Sequence, residues 1–295
     1  MINGALVYLR SEFNLTPFET EMVASVLLWG CAAGAAIAGY TSDRYGRRAV
    51  LFVAGVFFCL SSLGSALPTH LWQLILARAV GGLAIGSASL IAPLYIAEIA
   101  PANVRGRLVT LNQLAIVCGI LVAFVSNGAL AHLAGRAVSM NVSVGIINLV
   151  FTLAALLLID RLGRRPLLLT ATAGMGVCMT IFAAMLRWTP ERSGLLLIPV
   201  LGYVTCFAFG FGPGVWVCLA EFFPNHIRGR AMSIATVALW LAVSLVTSTF
   251  LTLIRYFSAP TVFLGYALLC AASFVYIYRQ LPETKNRTLE EIQSL

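Results

Sequence analysis

The sequence predicts an all-α polytopic membrane protein, a two-half helical bundle of about nine full transmembrane helices plus part of one more. Three observations carry this. The chain of 295 residues is 60% hydrophobic and 10% charged, with mean hydropathy +0.93, which leaves too little charge to clothe a water-soluble domain. Its apolar residues fall in runs of about 20, the length a helix needs to cross roughly 30 Å of hydrocarbon. Two charged motifs also recur, in the same order, in the first and second parts of the chain.

Residues 1–9 read as the tail of a span, and MINGALVYLR has neither the basic start nor the apolar length of a cleavable signal peptide. Full spans follow at 20–41, 49–67, 72–97, 108–131, 137–159, 166–187, 195–220, 231–254 and 261–281. The first ends in DRYGRR, Asp43 to Arg48, and the fifth ends in DRLGRR, Asp160 to Arg165, 117 residues later. The third runs into AEIAPANVRGR, Ala97 to Arg107, and the seventh into AEFFPNHIRGR, Ala220 to Arg230, 123 residues later. Such offsets are too long for a solenoid repeat and suit two copies of a multi-helix unit. The halves are placed at 1–133 and 134–281, with a cytoplasmic tail at 282–295. Duplicated halves about an axis along the membrane normal are a pattern of secondary transporters.

Of the 19 lysines and arginines, 13 fall in connections on one face and five on the other, and Arg78 alone lies inside a span. Cytoplasmic loops carry the excess, so both motif pairs and the C-terminus are assigned to the cytoplasm.

Composition removes several function classes. Lys285 is the only lysine, so neither a phosphate-binding Walker A loop nor an intramembrane Schiff base can be built, and no nucleotide partner is expected. The net charge of +8 punctuates apolar runs rather than lying among aromatics on a soluble face, so nucleic acid is not expected either. The seven cysteines sit inside apolar runs with no CxxC, and the three histidines fall at segment ends, so neither metal nor cofactor is expected. No Ser/His/Asp set is visible, so an enzyme is the weakest class.

The repeated motifs have their own chemistry. A carboxylate at a cytoplasmic helix end can pair with the arginines of a neighbouring loop. Asp43 with Arg47 or Arg48, Glu98 and Arg105 would make one network, and Asp160, Arg164, Arg165, Glu221 and Arg228 its twin. Bidentate pairs of this kind form a reversible gate; the alternative is topology anchors snorkelling to the headgroups. Gly30, Gly34, Gly82 and Gly86 allow close helix approach, whereas Gly210, Gly212, Pro213 and Gly214 can loosen one helix into a hinge. Arg78 sits where charge is costly and is expected to be hydrated or paired.

These residues resemble the sugar porters of the major facilitator superfamily. The resemblance is carried by Gly39 with DRYGRR, PLYIAEIAPANVRGR from Pro93, LNQLAIVCGI from Leu111, GIINLVFT from Gly145, GFGPGVWVCLAEFFPNHIRGR from Gly210 and PETKNRTLEEI from Pro282. It implies passage of a monosaccharide or polyol by alternating access, driven by a proton gradient or by the solute's own gradient. It implies sugar contacts for Gln113 and Asn148, a cavity aromatic at Phe207, and cavity or gate tryptophans at Trp216 and Trp240. Read without the family, Gln113 and Asn148 would equally serve as interhelical hydrogen bonds, and the tryptophans as packing or interface anchors. Arg78 matches an arginine that acts on a first-helix acid in proton-coupled members, which marks it as the coupling candidate.

The departures from the family are internal as well. Gly128 to Arg136 runs from what resembles the fifth helix into what resembles the eighth, leaving no counterpart for the sixth helix, the cytoplasmic domain and the seventh helix with its sugar-gripping amides. Met1 to Leu9 resembles only the outer end of the first helix. Leu239 and Val243 stand where many members carry amides, and Ala208 replaces a carboxylate found in some members. A non-transporting remnant or a sugar-sensing membrane protein is therefore the alternative to a carrier.

Overall fold

The computed structural model describes residues 16–101, 104–133, 141–188, 193–223 and 227–282. The partial helix at 1–9, the first residues of the 137–159 span and the tail from 283 lie outside the described residues, as does the side chain of Asp160. The described helices are α1 (Pro17–Tyr45), α2 (Arg47–Ala66), α3 (Leu71–Ile99), α4 (Arg105–Leu133), α5 (Asn141–Leu162), α6 (Arg164–Trp188), α7 (Leu197–Cys206), α8 (Gly212–Phe222), α9 (Arg228–Phe257) and α10 (Ala259–Gln280). Eight stretches of helix are long and apolar enough to cross a membrane, and Ser143–Ile159 within α5 is a shorter apolar helix. Among the described residues there is no strand.

The helices overrun the apolar runs at their charged ends. Arg47, Arg105, Arg164 and Arg228 are each the first residue of a helix rather than part of a loop. At the other end of α1, Thr16 Oγ1 accepts the Glu19 amide at 3.3 Å and the Glu19 carboxylate accepts the Thr16 amide at 2.8 Å. With Pro17 in the first turn, this reciprocal cap starts the helix three residues before the apolar run.

The expected span at 195–220 is present as one apolar helical stretch, Gly194–Phe222, with a local widening where the hinge was expected. Within it α7 passes through a five-residue π segment at Phe207–Phe211 into α8. Pro213 has no amide hydrogen to give to the preceding turn, and the helix widens there so that the Gly212 amide bonds the Phe207 carbonyl, five residues back.

By packing, the described residues fall into two compact units, one drawn from 1–99 with 223–250 and the other from 100–222 with 251–295. In the first, α1 and α3 lie backbone to backbone. A Cβ on Gly34 would overlap the Leu83 backbone, and one on Gly86 would overlap the Cys31 carbonyl. Without a hydrophobic drive inside lipid, such close approach is what holds helices together. In the second unit, α6 packs against α7 and α10, while α4 packs against α5 and α8.

Candidate functional site

Each compact unit carries one charge cluster at a junction of helix ends. In the first, the chain leaves α1 through Gly46, whose φ of +85° favours glycine, and enters α2 at Arg47. The Arg47 guanidinium then reaches back. Its Nη1 donates to Asp43 Oδ1 and to the Ser42 carbonyl, both at 2.8 Å, and its Nη2 donates to Glu98 Oε1 on α3 at 3.2 Å. The pairs stay partly wet, with side-chain exposures of 21% for Arg47, 38% for Asp43 and 35% for Glu98. The start of α9 closes on this cluster: a Cβ on Gly229 would stand 2.9 Å from Asp43 Oδ1. A carboxylate beside the first turn of a helix is favoured by its unpaired amides and dipole.

The second unit repeats the arrangement at the turn glycine, the arginine and the glutamate. Gly163, φ +93°, turns α5 into α6, and Arg164 bonds the carbonyl of Ile159 five residues back, as Arg47 does with Ser42. Arg164 grips Glu221 on α8 with both arms of its fork, at 2.9 and 3.2 Å, and this pair is 5% and 6% exposed. Arg105 and Arg228 are twins as well, each donating to the carbonyl five residues back, Ala100 at 3.5 Å and Phe223 at 3.1 Å. Arg48 is exposed and makes no ion pair among the described residues. Its twin Arg165 donates to the Tyr278 carbonyl on α10 and stands over the Tyr278 ring at 5.6 Å.

The polar residues singled out for a sugar are distributed over the units. Gln113, 8% exposed on α4, lies against the widening in the seventh span, since a Cβ on Gly212 would come within 3.2 Å of its Nε2. Asn148 is half-buried on α5 and its Oδ1 is 3.5 Å from the Thr152 hydroxyl. Phe207 opens the π segment and is partly exposed, and Trp216 is half-buried on α8. In the first unit, Trp240 on α9 donates its indole N–H to Ser89 Oγ on α3 at 3.1 Å. The apolar grooves between α6 and α10, between α8 and α10, and between α2 and α3 contain none of these five residues.

Arg78 has no carboxylate partner among the described residues, and its Nε donates to the Val23 carbonyl of α1 at 2.6 Å. It lies 11 residues before Ser89, three helical turns, and so on the face of α3 where Trp240 docks. Gly210 and Gly214 flank Pro213 and also pack closely on α6, where added Cβ atoms would meet Ala171 and Leu168.

A family model described as Sugar (and other) transporter matches this chain at residues 10–137 and again at 131–295. The chain belongs to the sugar transporter family. Similar relatives include the D-xylose transporter of Levilactobacillus brevis, 25% identical with 100% of this chain and 91% of the relative covered, and the D-xylose-proton symporter of Escherichia coli K12, 26% identical with 92% and 85% covered. The arabinose-proton symporter of Bacillus subtilis 168 is 25% identical with 100% and 90% covered. Among solved structures, the major facilitator proton:xylose symporter XylE bound to 6-bromo-6-deoxy-D-glucose superposes with a TM-score of 0.87 at 25% identity, covering 99% of this chain and 94% of that one. Its fold is thus that of a major facilitator sugar porter, a multi-pass membrane protein whose relatives are transporters.

Within this family the chain is internally short. The alignment with the L. brevis relative runs over 415 positions against 295 residues here, so at least 120 of its positions face no residue of this chain. The two family-model matches meet at 131–137, inside or beside the Gly128–Arg136 stretch where the missing helices were inferred.

Several residues of the site escaped sequence reasoning. Gly46, Gly163 and Gly229 were in plain view inside the repeated motifs, and their recurrence was the available signal. Ser89 as the Trp240 anchor and Ser233, whose hydroxyl bonds the Ala35 carbonyl at 2.9 Å across from Gly39, carry no sequence signal.

Proposed function

We propose that this sugar porter is a secondary carrier of a monosaccharide or polyol of pentose or hexose size, working by alternating access in the cytoplasmic membrane with its C-terminus in the cytoplasm. The repeat-based halves at 1–133 and 134–281 are its functional halves, and 282–295 is its tail. The observation that carries this reading is the duplication of the charge cluster, from Gly46 and Gly163 through Arg47 and Arg164 to Glu98 and Glu221. Asp43, Asp160, Arg105 and Arg228 complete the gate, and the Phe207–Phe211 segment with Gly210, Gly212, Pro213 and Gly214 is the hinge. Gln113 and Asn148 offer amides to sugar hydroxyls, and Phe207, Trp216 and Trp240 offer aromatic surface. Gln113 touching the hinge lets an occupied amide bias its geometry. Arg78 is the coupling candidate, with protons the co-substrate of its relatives.

A second reading, a non-transporting remnant or sugar sensor, is favoured by the 120 or more unmatched positions, together with the meeting of the family-model matches at 131–137, where the resemblance leaves no counterpart for the seventh-helix amides. Losing three or four hydroxyl contacts at about 1 kcal/mol each weakens binding by roughly two orders of magnitude or more. The test is uptake of labelled xylose and glucose into liposomes holding the 295-residue chain. The carrier reading expects saturable downhill flux, reduced by Gln113→Ala, with no accumulation against a gradient. Absence of flux with retained sugar binding would select the sensor. Accumulation abolished by a protonophore would show that the missing amides are dispensable.

A further inference from the structure

We propose that Cys178 on α6 and Cys206, the last residue of α7, form a dithiol site that takes the trivalent arsenic atom of a neutral aryl arsenical and is bridged by it from helix to helix. The site lies wholly within the second unit, and binding there does not require that the chain carry a sugar.

The sequence sets the two thiols on facing stripes. Gly174 and Cys178 are four residues apart on α6, and Gly202 and Cys206 are four apart on α7, so each pair lies along one helix face. The faces mesh reciprocally. A Cβ on Gly174 would overlap Cys206 Sγ, and one on Gly202 would stand 2.9 Å from Cys178 Sγ. Each sulfur thus fills the gap that the opposite glycine leaves, in the way that small residues bring helices together in lipid. The two thiols converge and are hydrogen-bonded to each other. Both residues are half-buried rather than sealed, which leaves a reagent room to reach them.

The chemistry of the pair selects its ligand. Cys270 approaches α6 at Gly176, two residues from both Gly174 and Cys178 and so on the far side of that helix. Among the described residues no third cysteine, histidine, aspartate or glutamate joins Cys178 and Cys206 in a group able to hold a metal ion. Two sulfurs alone do not complete the four-coordinate shell of structural zinc. A bare cation would also bring charge into the hydrocarbon, where charge is costly. Trivalent aryl arsenic meets both conditions, since it makes two bonds to sulfur and is neutral before and after. With phenylarsine oxide, two arsenic–sulfur bonds replace the bonding to oxygen, the oxygen leaves as water with both thiol protons, and arsenic stays trivalent. Cys206 immediately precedes the π segment, so the bridge pins the start of that segment to α6.

The test treats the full 295-residue chain in detergent with phenylarsine oxide, washes it with excess monothiol and weighs the intact protein. We expect one arsenical to be retained per chain and to be released by 2,3-dimercaptopropanol. The second arsenic–sulfur bond closes within the molecule, so Cys178→Ser and Cys206→Ser should each weaken retention by roughly 10²–10⁴-fold, while Cys270→Ser leaves it unchanged. Digestion of the loaded wild-type chain should release the peptides holding Cys178 and Cys206 joined through arsenic, which reads the site without any variant. Loss of all arsenical from the wild-type chain in the monothiol wash would overturn the proposal. So would arsenic joining any other pair of cysteines, or retention undiminished by either serine variant.

Discussion

The two charge clusters have the same residues in the same register and opposite surroundings. Arg164 and Glu221 are sealed at 5% and 6% exposure, whereas Arg47 divides its fork between Asp43 and Glu98 with a fifth to two fifths of each side chain exposed. The cause lies in what covers them. The end of α10 brings Ile277 and Leu281 onto Cys218 and Phe222, the neighbours of Glu221, and the first unit has no helix in that place among the described residues. Of the 18-residue apolar window in α2 only 6% is buried, against 33% in α6. Identical chemistry is thus placed in two dielectric environments, and environment decides how strongly an ion pair holds. Burial therefore holds Arg164 to Glu221 more firmly than water leaves Arg47 held to Asp43 and Glu98.

The largest test of this contrast removes one carboxylate from each cluster. Glu221→Ala removes the bidentate partner of Arg164 from a buried site and should lower stability by about 3–5 kcal/mol, while Glu98→Ala at the wetter cluster should cost about 1 kcal/mol or less. Thermal unfolding of the two variants in one detergent compares them directly, and equal losses would mean that burial is not what separates the clusters. A smaller difference is expected from replacing the fork by a single ammonium. Arg164→Lys should lose one charged hydrogen bond, about 1.5–3 kcal/mol, and Arg47→Lys distinctly less, read from the same melts.

The smallest stability effect is at the wetter cluster itself. Asp43→Asn should cost about 1 kcal/mol or less, since it removes a partly exposed charge beside the first turn of α9, and the cost should shrink as salt is raised. Its visible consequence is a shift in the inward/outward balance reported by a fluorescent pair on the two faces, with sugar affinity nearly unchanged. An unchanged conformational distribution would make Asp43 a topology anchor instead of a gate.

Much of this protein was legible in its sequence because the signals are local. Runs of about 20 apolar residues require membrane helices, since the backbone must satisfy itself where there is no water. DRYGRR and DRLGRR, and the two RGR ends, announced the duplication, and with it the pairing of Arg47 with Asp43 and Glu98 and of Arg164 with Glu221. Even the internal shortening near Gly128 to Arg136 was readable, as a jump in resemblance. Tertiary structure alone decided what depends on neighbours distant in sequence: that Arg165 reaches the Tyr278 carbonyl while Arg48 is exposed, that Gln113 rests on Gly212 beside the π segment, and that Trp240 is tied to Ser89. A motif specifies which groups can bond, but burial is set by which helix lies over them, and that is fixed by packing across the whole chain rather than by any one stretch of it.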